Sequence, residues 1–369
     1  MRLIHVVGAR PNFMKVAPVM RALAAHKRVV QVLVHTGQHY DANMSGIFFR
    51  QLGIPAPDIN LNVGSGSHAR QTAEIMMRFE EVLLEHPADL VLVYGDINST
   101  VAAALVSAKL GIPVAHVEAG LRSFDRSMPE ELNRLVTDQL ADLLLTPSID
   151  GNANLDREGI GGEKVAFVGN VMIDTLVRLL PKADAKWPEL AKELGIRSNN
   201  FGLVTLHRPS NVDDPEVLPT ILGALEDIGR QIPLVFPMHP RTRDRIEQLG
   251  LSMSGDHCRI IAPRGYTDFV SLQKNARFVI TDSGGVQEET TYLGVPCFTL
   301  RENTERPVTI DVGTNVLIGR DLELLRQEVG KILEGIMPTG SVPDLWDGRA
   351  GERVASAVAS YLEGRLAAA

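Results

Sequence analysis

A chain of 369 residues is long enough for two domains of ordinary size, and with 44% hydrophobic residues it can bury sizeable cores without covalent staples. A formal net charge of −8 argues against a nucleic-acid partner, and no apolar run approaches the length of a membrane span. Two cysteines, Cys258 and Cys297, make neither a disulfide framework nor a metal pattern, so buried thiols in a reducing compartment are expected.

Arg2 to Val7 reads as a buried strand rather than a signal peptide, and the expected location is cytoplasmic. The strand runs into Gly8-Ala9-Arg10-Pro11-Asn12-Phe13-Met14-Lys15 and then a helix ending near His26. Arg10 and Lys15 sit at or near the helix start, where cations oppose the macrodipole; a bound anion would remove the conflict, and side chains turned to water are the plain alternative. With Gly8 the only glycine in the turn, this is not the G-x-G-x-x-G of dinucleotide enzymes, and a nicotinamide cofactor is not indicated. Strand 29–35 leads to Gln38 and His39, and an amphipathic stretch follows at Glu74–Leu84.

Strands 89–94 and 113–117 end at Asp96 and Glu118. Asp96 has an ordinary reading as a helix cap, which a glutamate so close to a buried strand has less. Next comes Pro129-Glu130-Glu131-Leu132-Asn133-Arg134, where the proline suits a first helical turn and the acids suit the dipole. Glu130 and Arg134 are four apart, the spacing of an exposed ion pair. Taken together, Asp96, Glu118 and Glu130 are better read as acids of one cleft, since crowded carboxylates raise one another's pKa and yield one protonated acid and one ionised base. Further strands are expected at 142–146 and 164–168. The polar tract Lys182–Asn200, with Pro181 and Pro188 beside it, reads as a helix and a connection. The expected domains are 1–170 and 171–350, with a last helix, about 351–369, able to pack back onto the first.

The second half repeats the pattern, with strands at 201–206, 233–237, 258–262, 277–281 and 295–300 and helices at Glu216–Ile228 and Leu322–Leu333. His207 and Arg208 follow its opening strand. Thr281-Asp282-Ser283-Gly284-Gly285-Val286-Gln287-Glu288-Glu289 turns from a strand into a helix. Amide groups at such a helix start, with the dipole, suit a phosphate; Gly284 and Gly285 allow close approach, and Glu289 one turn on could accept from a ribose diol. Helix capping alone would also account for these residues. Arg301 and Arg306 add charge nearby. Apolar strands separated by helices give an α/β class with two Rossmann-like domains. Arg10, Gln38, His39, Asp96, Glu118, His207, His239 and Ser283 gather at strand ends, which in open parallel sheets is where ligands bind; two facing sheets would make an interdomain cleft. His39 and His239 read as loop residues, and no metal motif is present.

Eight segments in order give the chain a resemblance to the UDP-N-acetylglucosamine 2-epimerases, particularly the non-hydrolysing type. They are Gly-x-Arg-Pro-x-x-x-Lys at 8–15, Gly-Gln-His at 37–39, Tyr-Gly-Asp at 94–96, His-Val-Glu-Ala-Gly-Leu-Arg at 116–122, Pro-Glu-Glu-x-Asn-Arg at 129–134, Leu-His-Arg at 206–208, Thr-Asp-Ser-Gly-Gly-x-Gln-Glu-Glu at 281–289 and Thr-Glu-Arg-Pro at 304–307. The resemblance implies two Rossmann-like domains around a cleft, as in glycogen phosphorylase and glycosyltransferase-B enzymes, and a homodimer. It implies a UDP-sugar substrate with no metal or redox cofactor. Asp96, Glu118, Glu130 and His207 are the implied catalytic residues, with Arg134 at the sugar end and Lys15 near the reacting end. Arg10, Ser283, Gly284, Gly285 and Arg306 would serve the diphosphate, Glu289 the ribose, and Arg264 and Phe269 the uracil.

Departures from the family bear on the substrate. Tyr40 and Asp41 stand where many UDP-N-acetylglucosamine-specific members carry Arg and another polar residue. In some relatives these positions belong to a regulatory site, other parts of which Gln38, His39, Arg70 and Gln71 match. The run Tyr40-Asp41-Ala42-Asn43-Met44-Ser45 is similar to relatives acting on a 2,3-diacetamido-uronic sugar nucleotide, whereas Arg306 follows the UDP-N-acetylglucosamine pattern. A hydrolysing epimerase and a glycosyltransferase of the same fold are the further alternatives.

Overall fold

The computed structural model describes residues 1–38, 52–251, 255 and 257–368. The chain divides into two compact units, one of residues 1–175 with 344–369 and one of residues 176–343. Among the described residues, the first unit holds a seven-stranded sheet of order β3-β2-β1-β4-β5-β6-β7. Its strands are β1 (Arg2–Val7), β2 (Val30–His35), β3 (Ile59–Asn60), β4 (Leu90–Tyr94), β5 (Val114–Val117), β6 (Leu143–Thr146) and β7 (Val165–Phe167). The second holds six, in the order β10-β9-β8-β11-β12-β13: β8 (Gly202–Thr205), β9 (Leu234–Pro237), β10 (Cys258–Ile261), β11 (Phe278–Thr281), β12 (Cys297–Thr299) and β13 (Asn315–Leu317).

Every pairing is parallel. Parallel strands need crossovers, and helices on both faces bury them, which is why β4 and β5 are buried at every position and apolar at all but His116. Each sheet reverses its strand order between its first and fourth strands, β1 and β4 in one and β8 and β11 in the other. That is the doubly wound Rossmann arrangement, and its ligand site lies outside the carboxyl ends of the strands at the reversal.

The cores follow the sheets. In the first unit Ile4, Val6, Val91 and Val93 pack with Ile75 and Phe79 of the helix His68–Glu85. In the second, Phe236, Phe278 and Phe298 pack with Leu218, Leu222 and Leu225 of the helix Val217–Gly229. The helix Val171–Leu194 carries the chain from one unit into the other without a break, although Pro181 and Pro188 lie inside it. No helix among the described residues is long and apolar enough to cross a membrane. Both cysteines are buried free thiols, Cys258 pushed by burial to about 12 and Cys297 to about 11.

Candidate active site

In the first unit the turn after β1 is held to β4 by Asn12. Its side-chain oxygen accepts the N–H groups of Gly8 and Ala9 at 3.1 and 3.2 Å, and its amide donates to the Tyr94 carbonyl at 2.8 Å. Arg10 opens the helix Arg10–Leu23, and Lys15 follows one turn later. Lys15 is buried, with its ammonium 2.6 Å from the Glu118 carboxylate, which is buried as well. Glu118 has φ 75°, in the left-handed region. A non-glycine residue there costs on the order of 1–3 kcal/mol and persists where its surroundings over-determine it. Gly95 has φ 63°, and a Cβ on it would stand 2.5 Å from Lys15 Nζ; glycine is what leaves the ammonium its place.

Asp96 is not the helix cap, since Ile97 holds that position in the helix Asn98–Lys109. The Asp96 carboxylate accepts from Arg134 at 2.5 Å, and its carbonyl accepts from Asn133 at 2.8 Å. Arg134 is buried and also lies 2.8 Å from Glu131, so it does not form the surface pair that its spacing from Glu130 suggests. Glu130 is half-buried on the first turn of the helix Pro129–Leu140. Glu131, which the sequence marks only as an acid suited to the helix dipole, takes the N–H groups of Ser123 and Phe124, each at 2.9 Å. Burial pushes its carboxyl up, yet the bonds from Ser123 and Arg134 outweigh this and hold it below the ordinary range.

In the second unit His207 follows β8 and Ser283 follows β11, at the reversal of strand order. Between them lies Asp282, fully buried, a second residue without an assigned role. It accepts the N–H groups of His207 and Arg208 at 3.0 and 2.9 Å and lies 2.8 Å from His207 Nδ1. The imidazole is thus held by one nitrogen, and the His207 side chain is 46% exposed. Burial pushes the Asp282 carboxyl up, but the bond and charge of His207 and the backbone N–H groups hold it below its usual value.

Ser283 is the N-cap of the helix Gly284–Leu293 without a side-chain capping bond, and Ser283, Gly284 and Gly285 are half-exposed. The first amides of a helix have no partner within it, so this turn offers N–H groups and the positive end of a dipole. Arg306 lies beside it: a Cβ on Gly284 would be 2.8 Å from Arg306 Nη1. Arg306 is buried, 2.8 Å from Glu288 and paired with Glu305. Glu289 is buried and accepts from the Tyr266 hydroxyl at 2.7 Å and the Gln273 amide at 2.9 Å. Both donors belong to the helix Tyr266–Asn275, which also carries the half-buried Phe269. Arg264, just before that helix, pairs with Glu193.

Of the remaining residues, Gln38 and Gln71 are joined. Gln71 donates to the Gln38 carbonyl at 3.1 Å, and the Gln38 side chain accepts from the Ser99 N–H at 3.0 Å. Arg70 is exposed on the helix His68–Glu85, and His39 lies outside the described residues. His239 caps the helix Pro240–Gln248 by accepting from the Arg241 N–H. Burial, then the charges of His207 and Arg241, lower its pKa.

The family model described as UDP-N-acetylglucosamine 2-epimerase matches residues 21–359. A UDP-N-acetylglucosamine 2-epimerase of Methanococcus maripaludis is 44% identical, over 89% of this chain and 91% of that protein. A UDP-2,3-diacetamido-2,3-dideoxy-D-glucuronate 2-epimerase of Pseudomonas aeruginosa is 43% identical, over 90% of this chain and 94% of that one. The crystal structure of the Methanocaldococcus jannaschii UDP-GlcNAc 2-epimerase in complex with UDP-GlcNAc and UDP is similar with TM-score 0.88 and 41% identity, covering 98% of this chain and all of that one. The chain belongs to the UDP-N-acetylglucosamine 2-epimerase family.

Proposed function

We propose that this protein interconverts UDP-N-acetylglucosamine and UDP-N-acetylmannosamine by anti elimination and re-addition of UDP. The observation that carries this reading is the set of acids Asp96, Glu118 and Glu130 around one end of a Rossmann-like sheet in a chain of this family. The C2 proton of the sugar is not next to a carbonyl, so direct abstraction is very hard. Cleavage of the C1–O bond sends the electron pair out with UDP and leaves positive character beside C2, which makes the proton removable. A carboxylate takes that proton, and 2-acetamidoglucal forms. UDP then adds back to C1 while an acid delivers a proton to the opposite face of C2.

The residues divide accordingly. Ser283, Gly284, Gly285 and Arg306 hold the diphosphate and stabilise its charge as it leaves. His207, oriented by Asp282, turns its other nitrogen to the leaving group. Arg10 serves the diphosphate as well, Glu289 takes the ribose, Arg264 and Phe269 the uracil, and Lys15 lies near the reacting end. Asp96, Glu118 and Glu130 move protons, with Arg134 fixing Asp96. Lys15 supplies the charge that a buried Glu118 needs as a partner. On this reading the enzyme works in the cytoplasm as a homodimer and supplies precursors of surface polysaccharide.

A second reading, epimerisation of UDP-2,3-diacetamido-glucuronic acid, is favoured by the relative at 43% identity. NMR in heavy water separates them. UDP-N-acetylmannosamine bearing deuterium at C2 is the expected product from UDP-N-acetylglucosamine. Release of free N-acetylmannosamine would instead mark a hydrolase, and inertness toward this sugar with turnover of the diacetamido-uronic one would move the assignment to the second reading.

A further inference from the structure

We propose that the buried pair His116–Asp138 is a positioning unit that sets the three elements bearing Asp96, Glu118 and Glu130 against one another. The inference rests on the reaction assigned above. His116 lies on β5, where it pairs with Val93 of β4, and it is fully buried. Its Nε2 is 2.8 Å from the Gly95 carbonyl oxygen, in the turn that presents Asp96. Its Nδ1 is 2.6 Å from Asp138 Oδ1. The other Asp138 oxygen accepts the Gly120 N–H at 3.1 Å and lies 2.7 Å from Arg122. Gly120 and Arg122 belong to the turn that starts at Glu118. Asp138 itself stands on the helix Pro129–Leu140, two turns beyond Glu130 and one beyond Arg134.

One imidazole and one carboxylate therefore touch all three acid-bearing elements. Backbone bonds of the sheet reach only the first residues of these turns, from the Gly95 N–H to the Val117 carbonyl and from the Glu118 N–H to the Leu145 carbonyl, each at 3.0 Å, and the turns leave the sheet in left-handed conformations. Gly95 has φ 63°, Glu118 75° and Gly120 82°. The two glycines adopt this conformation freely, whereas Glu118 persists in it where its contacts over-determine it. The carbonyl of Gly95 can only accept, and Asp138 is kept ionised: burial pushes it up, but the charges and bonds of His116 and Arg122 hold it below its ordinary value. Each ring nitrogen of His116 thus faces an oxygen that takes a hydrogen bond, one from Asp138 and one from Gly95. The unit works as a two-ended tie, holding the Asp96 turn to β5 and the Asp138 helix to the Glu118 turn. Arg122 completes the far side with a paired contact to Glu158, both bonds at 2.7 Å.

The test uses two substitutions that each cut one end. His116→Gln keeps a donor reaching toward Gly95 and gives up Asp138; His116→Asn keeps a donor toward Asp138 and gives up Gly95. Asp138→Asn removes the charge and keeps the shape. Each variant is assayed for kcat and KM, for C2 deuterium exchange and for UDP affinity by calorimetry. A misplacement of catalytic groups costs kcat about 10- to 100-fold, with KM and UDP affinity within about twofold of wild type. Wild-type kcat in the variants overturns the proposal, and so does a loss of UDP affinity that matches the loss of rate, since that marks general unfolding. If the variants do not fold, histidine-selective 15N labelling of the wild-type protein decides. Both nitrogens of the His116 ring are engaged in hydrogen bonds on this proposal, and a ring nitrogen whose shift marks it as unbonded refutes it. A wild-type enzyme that exchanges C2 in neither UDP-N-acetylglucosamine nor the diacetamido-uronic sugar overturns the reaction assignment together with the positioning role; exchange at wild-type rate in the variants overturns the positioning role alone.

Discussion

Lys15 and Glu118 bury opposite charges 2.6 Å apart, and this determines what a substitution there measures. Glu118→Gln keeps size and removes ionisation, so general acid–base catalysis worth about 10²–10⁴-fold in kcat is expected to vanish, with C2 exchange falling in parallel. It also strands the Lys15 ammonium, and breaking a buried pair on one side costs about 3–5 kcal/mol. The rate therefore has to be read where circular dichroism shows the variant folded. Lys15→Met added to Glu118→Gln is expected to recover melting temperature but no activity. Recovery of activity in that double variant, or wild-type exchange in the single one, would remove Glu118 from proton transfer. The sequence marks both residues, one at a helix start and one past a strand, yet not their contact, which arises because the sheet order β1-β4-β5 brings the segments after β1 and β5 to either side of the β4 turn. Glu131, Asp138 and Asp282 carry weaker marks still. Each reads as an ordinary helical or strand-end acid, and its role appears only once Ser123, His116 or His207 is folded against it.

At the level of elements, the start of the helix Gly284–Leu293 is the proposed seat of the diphosphate. β11 is buried at every position and feeds the turn, and Gly294, with φ 69°, closes the helix after ten residues. Arg306 and Glu305 press against its first turn, where a Cβ on Gly284 would meet each of them at 2.8 Å. Both obstacles are side-chain ends that can move, so Gly284→Val is expected to fold while pushing Arg306 from the helix start. UDP affinity should drop at least tenfold, about 1.4 kcal/mol, in titration calorimetry. Unchanged affinity would place the diphosphate elsewhere. Central parallel strands were legible in the sequence because they are nearly unbroken apolar runs; β4 (Leu90–Tyr94) and β11 (Phe278–Thr281) fall within a residue of expectation. The edge strands β3 (Ile59–Asn60) and β13 (Asn315–Leu317) were not, since two or three residues with one neighbour leave no hydrophobic run to read. The long helix Val171–Leu194 was read short, because Pro181 and Pro188 signal breaks that the folded chain tolerates.

For the molecule as a whole, the chain crosses into its second unit near Leu176 and returns to the first at Asp344. The returning segment is anchored by packing and hydrogen bonds, with Val354, Ala355, Val358 and Leu362 buried. Trp346 is buried and donates to the Pro147 carbonyl at 2.9 Å, and a Cβ on Gly351 would meet the Pro18 carbonyl at 2.8 Å, so the helix Ala350–Ala368 lies directly on Arg10–Leu23. Asp174 holds its start, accepting the N–H groups of Ala350 and Gly351 at 2.9 and 2.7 Å. Burial nevertheless pushes the Asp174 carboxyl up to about 6, against those two bonds, with Asp347 adding to the rise and Arg353 opposing it. The folded chain thus holds this proton more tightly than the unfolded one, whose carboxyl titrates near 3.8. Stability from this group is complete below the unfolded value and is lost as pH rises through the folded one, the reverse of a salt-bridged acid. A shift of that size corresponds to about 3 kcal/mol, against about 1 kcal/mol for a helix cap. Asp174→Asn keeps one acceptor and cannot ionise, so its melting temperature relative to wild type should rise between pH 5 and pH 7. Thermal melts of both proteins at the two pH values measure this. A difference that stays constant, or that favours wild type more at pH 7, would mean that the two N–H bonds prevail and the carboxylate is held ionised at the helix start.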